Sequence, residues 1–153
     1  MIVASDVMTP NPITVDPDTT VVDIAKIMSD LKIGSVVVVN SRGDIIGIIT
    51  SHDIISKVVA LGKDPNLVTA SDIMSKPVIY VEESTPISEI VELMIRHGKR
   101  HIPVVNKEKK LVGIIAEYDI IALGPEIFEI LEIYTASMRE QKKIRLGRRV
   151  RRT

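Results

Sequence analysis

The stretch GIITSHDII, residues 47–55, returns as GIIAEYDII at residues 113–121. Shifting the chain by 66 positions aligns residues 4–55 with residues 70–121 without a gap, and 18 of the 52 aligned positions are identical. Most other aligned positions exchange one aliphatic residue for another. An ungapped match of this length indicates an internal duplication, and two copies of one unit can pair face to face.

Each copy predicts the same order of elements. A short extended segment comes first, and a helix follows. In the first copy the helix begins at Thr20, which with Asp23 resembles a capping box. In the second copy Thr85 is the expected cap and Pro86 takes the first helical position. Gly34 and Gly98 are expected to mark the helix exits. Two aliphatic runs then predict a hairpin, and a second helix starts near each repeated Asp. The expected strands are Ile13–Val15, Val36–Val39, Ile45–Thr50, Val78–Val81, Ile102–Val105 and Leu111–Ala116.

The spacing of breakers and apolar residues predicts five segments. Residues 1–61 form unit 1, residues 62–70 a linker rich in helix breakers, and residues 71–124 unit 2. Residues 125–143 predict an amphipathic helix and residues 144–153 a basic, flexible tail. One unit is marginal in size by itself, whereas two units share a larger core.

The composition limits the classes of function. The chain has 153 residues and no Cys, which excludes disulfides and thiolate metal sites. It shows no signal peptide and no apolar run long enough for a bilayer, so we expect a cytoplasmic protein without membrane contact. It lacks nucleophile-elbow, Walker and H-E-x-x-H motifs, so we do not expect an enzyme or a catalytic cofactor.

The residues resemble a tandem pair of cystathionine-beta-synthase (CBS) domains, a unit often called a Bateman module. The matching stretches are DVMTPNPITV, DIMSKPVIYV, RHIPVVN, DIIGIITSHDII and LVGIIAEYDII, and the resemblance covers residues 4–121. The resemblance implies an α+β fold of two β-α-β-β-α units packed sheet to sheet about a pseudo-two-fold axis. It also implies clefts that bind AMP, ADP, ATP or S-adenosylmethionine, and modules that form homodimers.

The resemblance places one candidate cleft at each repeated Asp, completed by the other unit. Carboxylates can accept from ribose hydroxyls, apolar residues can hold a base, and cations can hold phosphate. The first cleft, which we expect to bind more strongly, comprises Thr50, His52, Asp53, Val78, Ile79, Lys99, Arg100, His101 and Pro103. The second and weaker cleft comprises Ile13, Thr14, Lys32, Ile33, Gly34, Ser35, Ala116, Tyr118 and Asp119.

The ranking of the clefts rests on two differences between the copies. Ala116 stands where the first copy has the hydroxyl of Thr50, and Gly34 with Ser35 stand where the second copy has Arg100 and His101. A phosphorylated ligand should therefore prefer the first cleft. We expect the module to act as a regulatory sensor that changes shape on binding and signals to an unidentified effector protein.

Structural interpretations of the same residues stay open. Both repeated Asp residues could be helix caps, and Thr50 could be a locally bonded strand residue. Lys99 and Arg100 could be solvated charges, and Val78 with Ile79 could belong to the core. The spacing of His97 and His101 is compatible with a metal, but Gly98 interrupts that helix and no third ligand is evident.

The basic C-terminal end gives an alternative function. Residues 142–152 contain seven Lys or Arg residues, which can bind a phosphate backbone, but they contain no aromatic residue for base stacking. In this alternative the CBS pair is a dimerisation scaffold for a nucleic-acid-associated protein. Binding that depends steeply on salt, and that is lost when residues 139–153 are removed, would favour it.

Overall fold

The computed structural model describes residues 1–124, Ala136 and residues 139–144. The described chain has a mixed α+β fold with a three-stranded sheet, ordered β2-β3-β4, and a four-stranded sheet, ordered β1-β7-β6-β5. The strands are β1 (Thr9–Pro10), β2 (Thr14–Val15), β3 (Ser35–Val39), β4 (Ile45–Thr50), β5 (Val81–Glu82), β6 (His101–Val105) and β7 (Leu111–Ala116). The helices are α1 (Ala4–Val7), α2 (Val21–Leu31), α3 (Ser51–Ile54), α4 (Ala70–Ile73), α5 (Ile87–His97) and α6 (Glu117–Ile121), and a π-helical turn covers Ile55–Val59. Within these ranges, no helix combines the length and apolar character needed to cross a bilayer.

The two copies build the same unit around separate apolar clusters. In the first, β2 runs parallel to β3, which pairs antiparallel with β4; in the second, β5, β6 and β7 repeat this arrangement. Both hairpins contain a register shift at equivalent places, after Val38 and after Val104. The long helices α2 and α5 bury their apolar stripes against these sheets. The predicted duplication and fold class are therefore confirmed.

Helix ends show why some boundaries differ from prediction. Thr20 caps α2 by accepting from Asp23 N–H at 3.4 Å. The predicted cap at Thr85 is wrong: Pro86 takes the cap position of α5, and the Thr85 hydroxyl accepts from Glu82 N–H at 3.1 Å instead. Gly98 ends α5 in the left-handed conformation as expected, with φ of 62°.

Gly34 does not end α2, contrary to the prediction from its position. Lys32 adopts the left-handed cap conformation there, with φ of 53° and ψ of 44°. Lys32 N–H donates toward carbonyls of the last turn of the helix. Gly34 is thus free of the capping role, and its small size serves the junction between the units described below.

The first segment of each repeat packs on the other unit, and we call these two segments, which contain α1 and α4, the exchanged segments. Ala4 N–H donates to the Thr85 carbonyl at 2.8 Å, and β1 pairs with β7. In the reverse direction, Ala70 N–H donates to the Thr19 carbonyl at 2.8 Å. This exchange is reciprocal, as an arrangement with two-fold symmetry requires. The short helices α1 and α4 that make it were not among the predicted elements.

Two glycines allow these exchanged segments to approach the strands closely. A Cβ added to Gly47 would lie 2.7 Å from Cγ of Met74, and one added to Gly113 would lie 2.8 Å from Cγ of Met8. Each methionine therefore occupies the space above a strand glycine in the opposite unit. The repeated Gly of the GII motif is a docking position for the exchanged segment.

The proposed segment boundaries at 1–61, 62–70 and 71–124 stay predictions about the sequence repeat, because the exchanged segments connect the two units. Most of the predicted C-terminal helix (125–143) and tail (144–153) lies outside the described residues. Residues 139–144 are helical, and the side-chain amide of Gln141 donates to the Ile95 carbonyl of α5 at 3.0 Å. This contact joins the C-terminal part of the chain to unit 2.

Candidate functional site

The turn at Asp53 connects the end of β4 to α3. Thr50 is the N-cap residue, and Asp53 lies three residues later as the acidic partner of a capping box. The Asp53 Oδ2 atom accepts from Thr50 N–H at 2.9 Å and from the Thr50 hydroxyl at 3.2 Å. Asp53 is therefore not itself the N-cap, and Thr50 is bonded locally, as one of the structural interpretations proposed.

The second carboxylate oxygen of Asp53 has a cationic partner. The Lys57 ammonium lies 3.1 Å from Asp53 Oδ1 and also donates to the Ile73 carbonyl at 2.8 Å. Asp53 is buried, with 8% of its surface exposed, whereas the Lys57 side chain is 42% exposed. Sequence reasoning missed Lys57, although its position four residues after Asp53 on a helical turn is a spacing at which opposite charges meet.

The equivalent turn at Asp119 has fewer partners. Ala116 replaces the capping Thr, and its N–H donates to Asp119 Oδ2 at 2.8 Å. Within residues 1–124, 136 and 139–144, no other hydrogen bond or ion pair to the Asp119 carboxylate is found. The residue equivalent to Lys57 is Leu123, which packs against the core of unit 2. The two carboxylates thus differ in how much of their accepting capacity is already used.

A contact between the units joins the two turns. Gly34 lies against the imidazole of His101, and a Cβ added to Gly34 would be 3.1 Å from His101 Nε2. The Gly34 carbonyl accepts from Ser51 N–H at 3.1 Å, and the equivalent Arg100 carbonyl accepts from Glu117 N–H at 2.9 Å. The segment before each central strand is therefore bonded to the Asp-bearing turn of its own unit while it contacts the sister unit.

His101 is half-buried at this contact. Its Nδ1 atom is buried and has no hydrogen-bond partner within the described chain. Burial lowers the pKa of His101, the carboxylates of Glu117 and Asp119 act in the opposite direction, and Arg100 lowers the pKa further. Burial therefore favours the neutral imidazole.

The remaining candidates of the first cleft differ in exposure. Val78, Ile79 and Lys99 are half-buried, Pro103 is buried in β6, and His52 and Arg100 are exposed. The Arg100 guanidinium lies 3.9 Å from a carboxylate oxygen of Glu117, which is a weak contact between partly exposed groups. This position leaves Arg100 able to turn toward a ligand.

The candidates of the second cleft are on average more exposed. Ser35 is buried, whereas Ile33, Gly34, Ala116 and Asp119 are half-buried and Ile13, Thr14, Lys32 and Tyr118 are exposed. Tyr118 has 73% of its surface exposed, so it does not belong to the core.

Two other features do not mark a site. The described residues contain no group of three or more His, Cys, Asp or Glu residues placed to hold a metal ion. A cavity of about 400 Å³ lies along α5, lined by Ser88, Glu89, Glu92, Leu93 and Arg96. The lining residues that the structure describes come from one helix face and include none of the candidate ligand residues, so we assign no ligand to this cavity.

A sequence model of the CBS domain matches residues 4–60 and again residues 70–126. The match covers well over half of the chain, which therefore belongs to the CBS-domain family as a tandem pair. The two matched regions correspond to the two repeats, and each contains one Asp-bearing turn.

Several known proteins resemble this chain over both units. An uncharacterized protein of Methanopyrus kandleri is 46% identical over 120 residues, which are 78% of this chain and 61% of that protein. Hypoxic response protein 1 of Mycobacterium tuberculosis is 32% identical over 82% of this chain and 87% of its own. A crystal structure of Hypoxic Response Protein I with two coordinated zinc ions has a TM-score of 0.71 and covers 81% of this chain and all of that one.

A further solved structure contains nucleoside ligands. The CBS domain pair of protein MJ0100, crystallised in complex with 5′-methylthioadenosine and S-adenosyl-L-methionine, has a TM-score of 0.73 and 30% identity. It covers 80% of this chain and 95% of that one. The likeness thus extends across the pair of units rather than across one unit.

Proposed function

We propose that this protein is a non-catalytic sensor that binds an adenosine-containing ligand between its two CBS units. The observation that carries the proposal is the chain of contacts from the Asp53 turn through Ser51 and Gly34 to His101 of the other unit. A ligand held by a carboxylate on one side and by the Lys99–His101 segment on the other would connect the units. The nucleoside complexes of the related MJ0100 pair support this class of ligand.

The proposed ligand contacts follow from the chemistry of the two turns. Carboxylate oxygens accept hydrogen bonds from vicinal ribose hydroxyls, so Asp53 and Asp119 would each hold a sugar. Half-buried Val78 and Ile79 would contact the base of a ligand at Asp53. Lys99 and Arg100 would then hold its phosphates as cations, and the neutral imidazole of His101 would donate a hydrogen bond to them.

The Asp53 cleft is our choice for a phosphorylated ligand such as AMP, ADP or ATP. The cations of unit 2 favour it, and the Gly34–Ser35 pair offers no comparable charge to the Asp119 cleft. The less occupied Asp119 carboxylate and exposed Tyr118 suit a neutral or cationic nucleoside, such as 5′-methylthioadenosine or S-adenosylmethionine. We infer two clefts of different ligand preference rather than one cleft and a silent copy.

Ligand binding would act by changing the relation between the units. Both units are linked by the exchanged segments, so a ligand that bridges them shifts the balance of arrangements available to the pair. A homodimeric assembly and a separate effector protein would read this shift. We place this regulatory role in the cytoplasm, where adenine nucleotides are available.

Isothermal titration with AMP, ATP, 5′-methylthioadenosine and S-adenosylmethionine tests the proposal. At protein concentrations of about 100 µM, a micromolar dissociation constant gives a clear saturating signal. We expect Asp53→Ala to abolish AMP binding and Asp119→Ala to leave it largely intact, with thermal unfolding used to confirm that both variants fold. Absence of heat with all four compounds would instead indicate a purely structural pair. The reverse pattern of the two variants would mean that AMP uses the Asp119 cleft.

A further inference from the structure

We propose that Lys57 competes with the ribose of a bound ligand for the Asp53 carboxylate. Lys57 also donates to the carbonyl at the end of α4, and we call these two contacts of Lys57 the latch. The inference rests on the proposed function in one respect, namely that Asp53 binds the sugar. In the described structure Lys57 bridges Asp53 Oδ1 and the Ile73 carbonyl, at 3.1 Å and 2.8 Å. Ligand binding at Asp53 therefore has to break a contact that holds the exchanged segment of the second repeat.

The accepting capacity of Asp53 explains the competition. An ionised carboxylate has about four lone-pair sites for hydrogen bonds. Thr50 N–H and the Thr50 hydroxyl take two at Oδ2, and Lys57 takes one at Oδ1. One site is left, whereas a vicinal diol brings two donors. A ribose that binds with both hydroxyls must therefore displace one of these donors. Lys57 is the donor on Oδ1, the oxygen with the remaining site, and it is not held by the short turn as Thr50 is.

The second contact of Lys57 carries the consequence to α4. Ile73 is the last residue of α4, and carbonyls at the end of a helix lack partners within the helix. The ammonium of Lys57 supplies such a partner and places a cation at the negative end of the helix. When Lys57 leaves, α4 loses this contact, and α4 leads along the chain to Val78 and Ile79, the proposed base contacts.

The other repeat provides an internal comparison. Leu123 aligns with Lys57, and Val7 aligns with Ile73. Both Leu123 and Val7 pack against the apolar cluster of unit 2, so this repeat has an apolar residue in place of the lysine. Asp119 retains more accepting capacity than Asp53, as shown above. The latch is thus a feature of the Asp53 cleft and makes the two clefts respond differently to ligand.

The exposure of Lys57 is consistent with a contact that opens. With 42% of its side chain exposed, the ammonium can leave the carboxylate and become fully hydrated, and an exposed ion pair contributes little to stability. The Asp53 side chain is only 11% exposed and is fixed by Thr50, so it stays in place when the lysine departs. The Lys57 ammonium therefore moves when the latch opens, and the Asp53 carboxylate keeps its position.

The test compares Lys57→Met with Lys26→Met in the full chain. Met keeps the apolar stem and removes the charge in both variants, and Lys26 is an exposed lysine of α2 in the same unit. AMP affinity is measured by titration calorimetry, and hydrogen exchange is followed in the peptide covering residues 69–75. Each measurement is made with and without saturating AMP.

We expect Lys57→Met to bind AMP about threefold to fivefold more tightly than the wild type, and Lys26→Met to bind it equally. Residues 69–75 should exchange faster in ligand-free Lys57→Met than in ligand-free wild type. Saturating AMP should accelerate exchange there in the wild type and change it little in Lys57→Met.

Unchanged or weaker AMP binding by Lys57→Met, with normal binding by the wild type, overturns the latch and leaves the proposed function standing. The latch is also overturned if the rate of hydrogen exchange at residues 69–75 is changed neither by the substitution nor by AMP. No AMP binding by the wild type, Lys57→Met or Lys26→Met overturns both the proposed function and the competition. AMP binding by Lys57→Met alone supports the latch in its strongest form.

Discussion

The imidazole of His101 lies against Gly34 of the other CBS unit, with Nε2 3.1 Å from the place that a Cβ on Gly34 would take. The aligned positions of the two repeats thus carry residues of opposite size where the units meet, since Gly34 and Ser35 align with Arg100 and His101. The small pair leaves room for the imidazole of the large pair. The same substitution of Gly34 and Ser35 for Arg100 and His101 that ranked the clefts therefore also lets the two units fit together.

A larger residue at position 34 should destabilise the pair of units. Gly34→Val places branched carbon atoms where the His101 ring lies, and overpacking of this kind costs about 1–3 kcal/mol of unfolding free energy. Gly34→Ala should cost less, because the ring has to move by only a few tenths of an ångström. Urea unfolding measures both effects. Combining Gly34→Val with His101→Ala should recover part of the loss, and strictly additive losses would contradict a direct contact.

The stability of the protein should depend on pH through His101. Its pKa is lowered in the folded state by burial, so between that pKa and the unfolded value near 6.5 the unfolded chain binds more protons. The free energy of unfolding therefore rises with pH in this window. The contribution of His101 to that free energy is lost as the pH falls through the window. Glu117 and Asp119 limit the shift because they favour the charged ring, whereas Arg100 opposes them.

Urea midpoints measured between about pH 5.5 and 7.5 test this dependence. The slope in this range should be smaller in His101→Gln than in the wild type. His97→Gln is the matched control, because His97 is exposed at the end of α5 and should leave the slope unchanged. Equal slopes in the wild type and His101→Gln would show that another group carries the dependence.

The sequence repeat was sufficient to predict most of the secondary structure. Aliphatic runs gave β4 and β7 at their observed bounds, because a short run of β-branched and aliphatic residues between polar segments is typical of a strand. The exchange of α1 and α4 could not be predicted, since the same alignment results whether a segment packs on its own unit or on the sister unit. Only the three-dimensional contacts of Ala4 and Ala70 distinguish the two arrangements.

The two Asp-bearing turns of the candidate site were also predictable, whereas the ligand contacts assigned to them stay predictions. Repeated Asp residues after strands indicated the two turns, and the missing hydroxyl at Ala116 was visible in the sequence. The Lys57–Ile73 contact joins residues 16 positions apart through a side chain and a carbonyl, so no residue pattern reports it. Likewise, the approach of His101 to Gly34 depends on how the units meet, which local spacing does not encode.

The docking of the exchanged segments should be sensitive to the strand glycines. Gly47→Ala adds a Cβ within 2.8 Å of Met74 Cβ, and Gly113→Ala adds one within 3.0 Å of Met8 Cβ. Because backbone-proximal atoms cannot rotate away, the segment has to shift. We expect each variant to lose about 1–3 kcal/mol of unfolding free energy.

Limited proteolysis locates the effect of these two variants. Gly47→Ala should expose the segment around Met74, and Gly113→Ala should expose the segment around Met8, each without the other. Wild-type stability in both variants, measured by urea unfolding, would show that the methionines are not packed as closely as the structure describes.

The Asp-bearing turns should respond in opposite directions to exchange of their capping residues. Thr50→Ala removes the hydroxyl that bonds Asp53, and loss of such an N-cap costs about 1 kcal/mol of unfolding free energy. Ala116→Thr supplies a cap that α6 lacks and should raise the unfolding free energy by a similar amount. Urea unfolding compares both variants with Thr50→Ser, which keeps the hydroxyl. If Thr50→Ser loses as much stability as Thr50→Ala, packing of the Thr methyl group rather than capping stabilises the first turn.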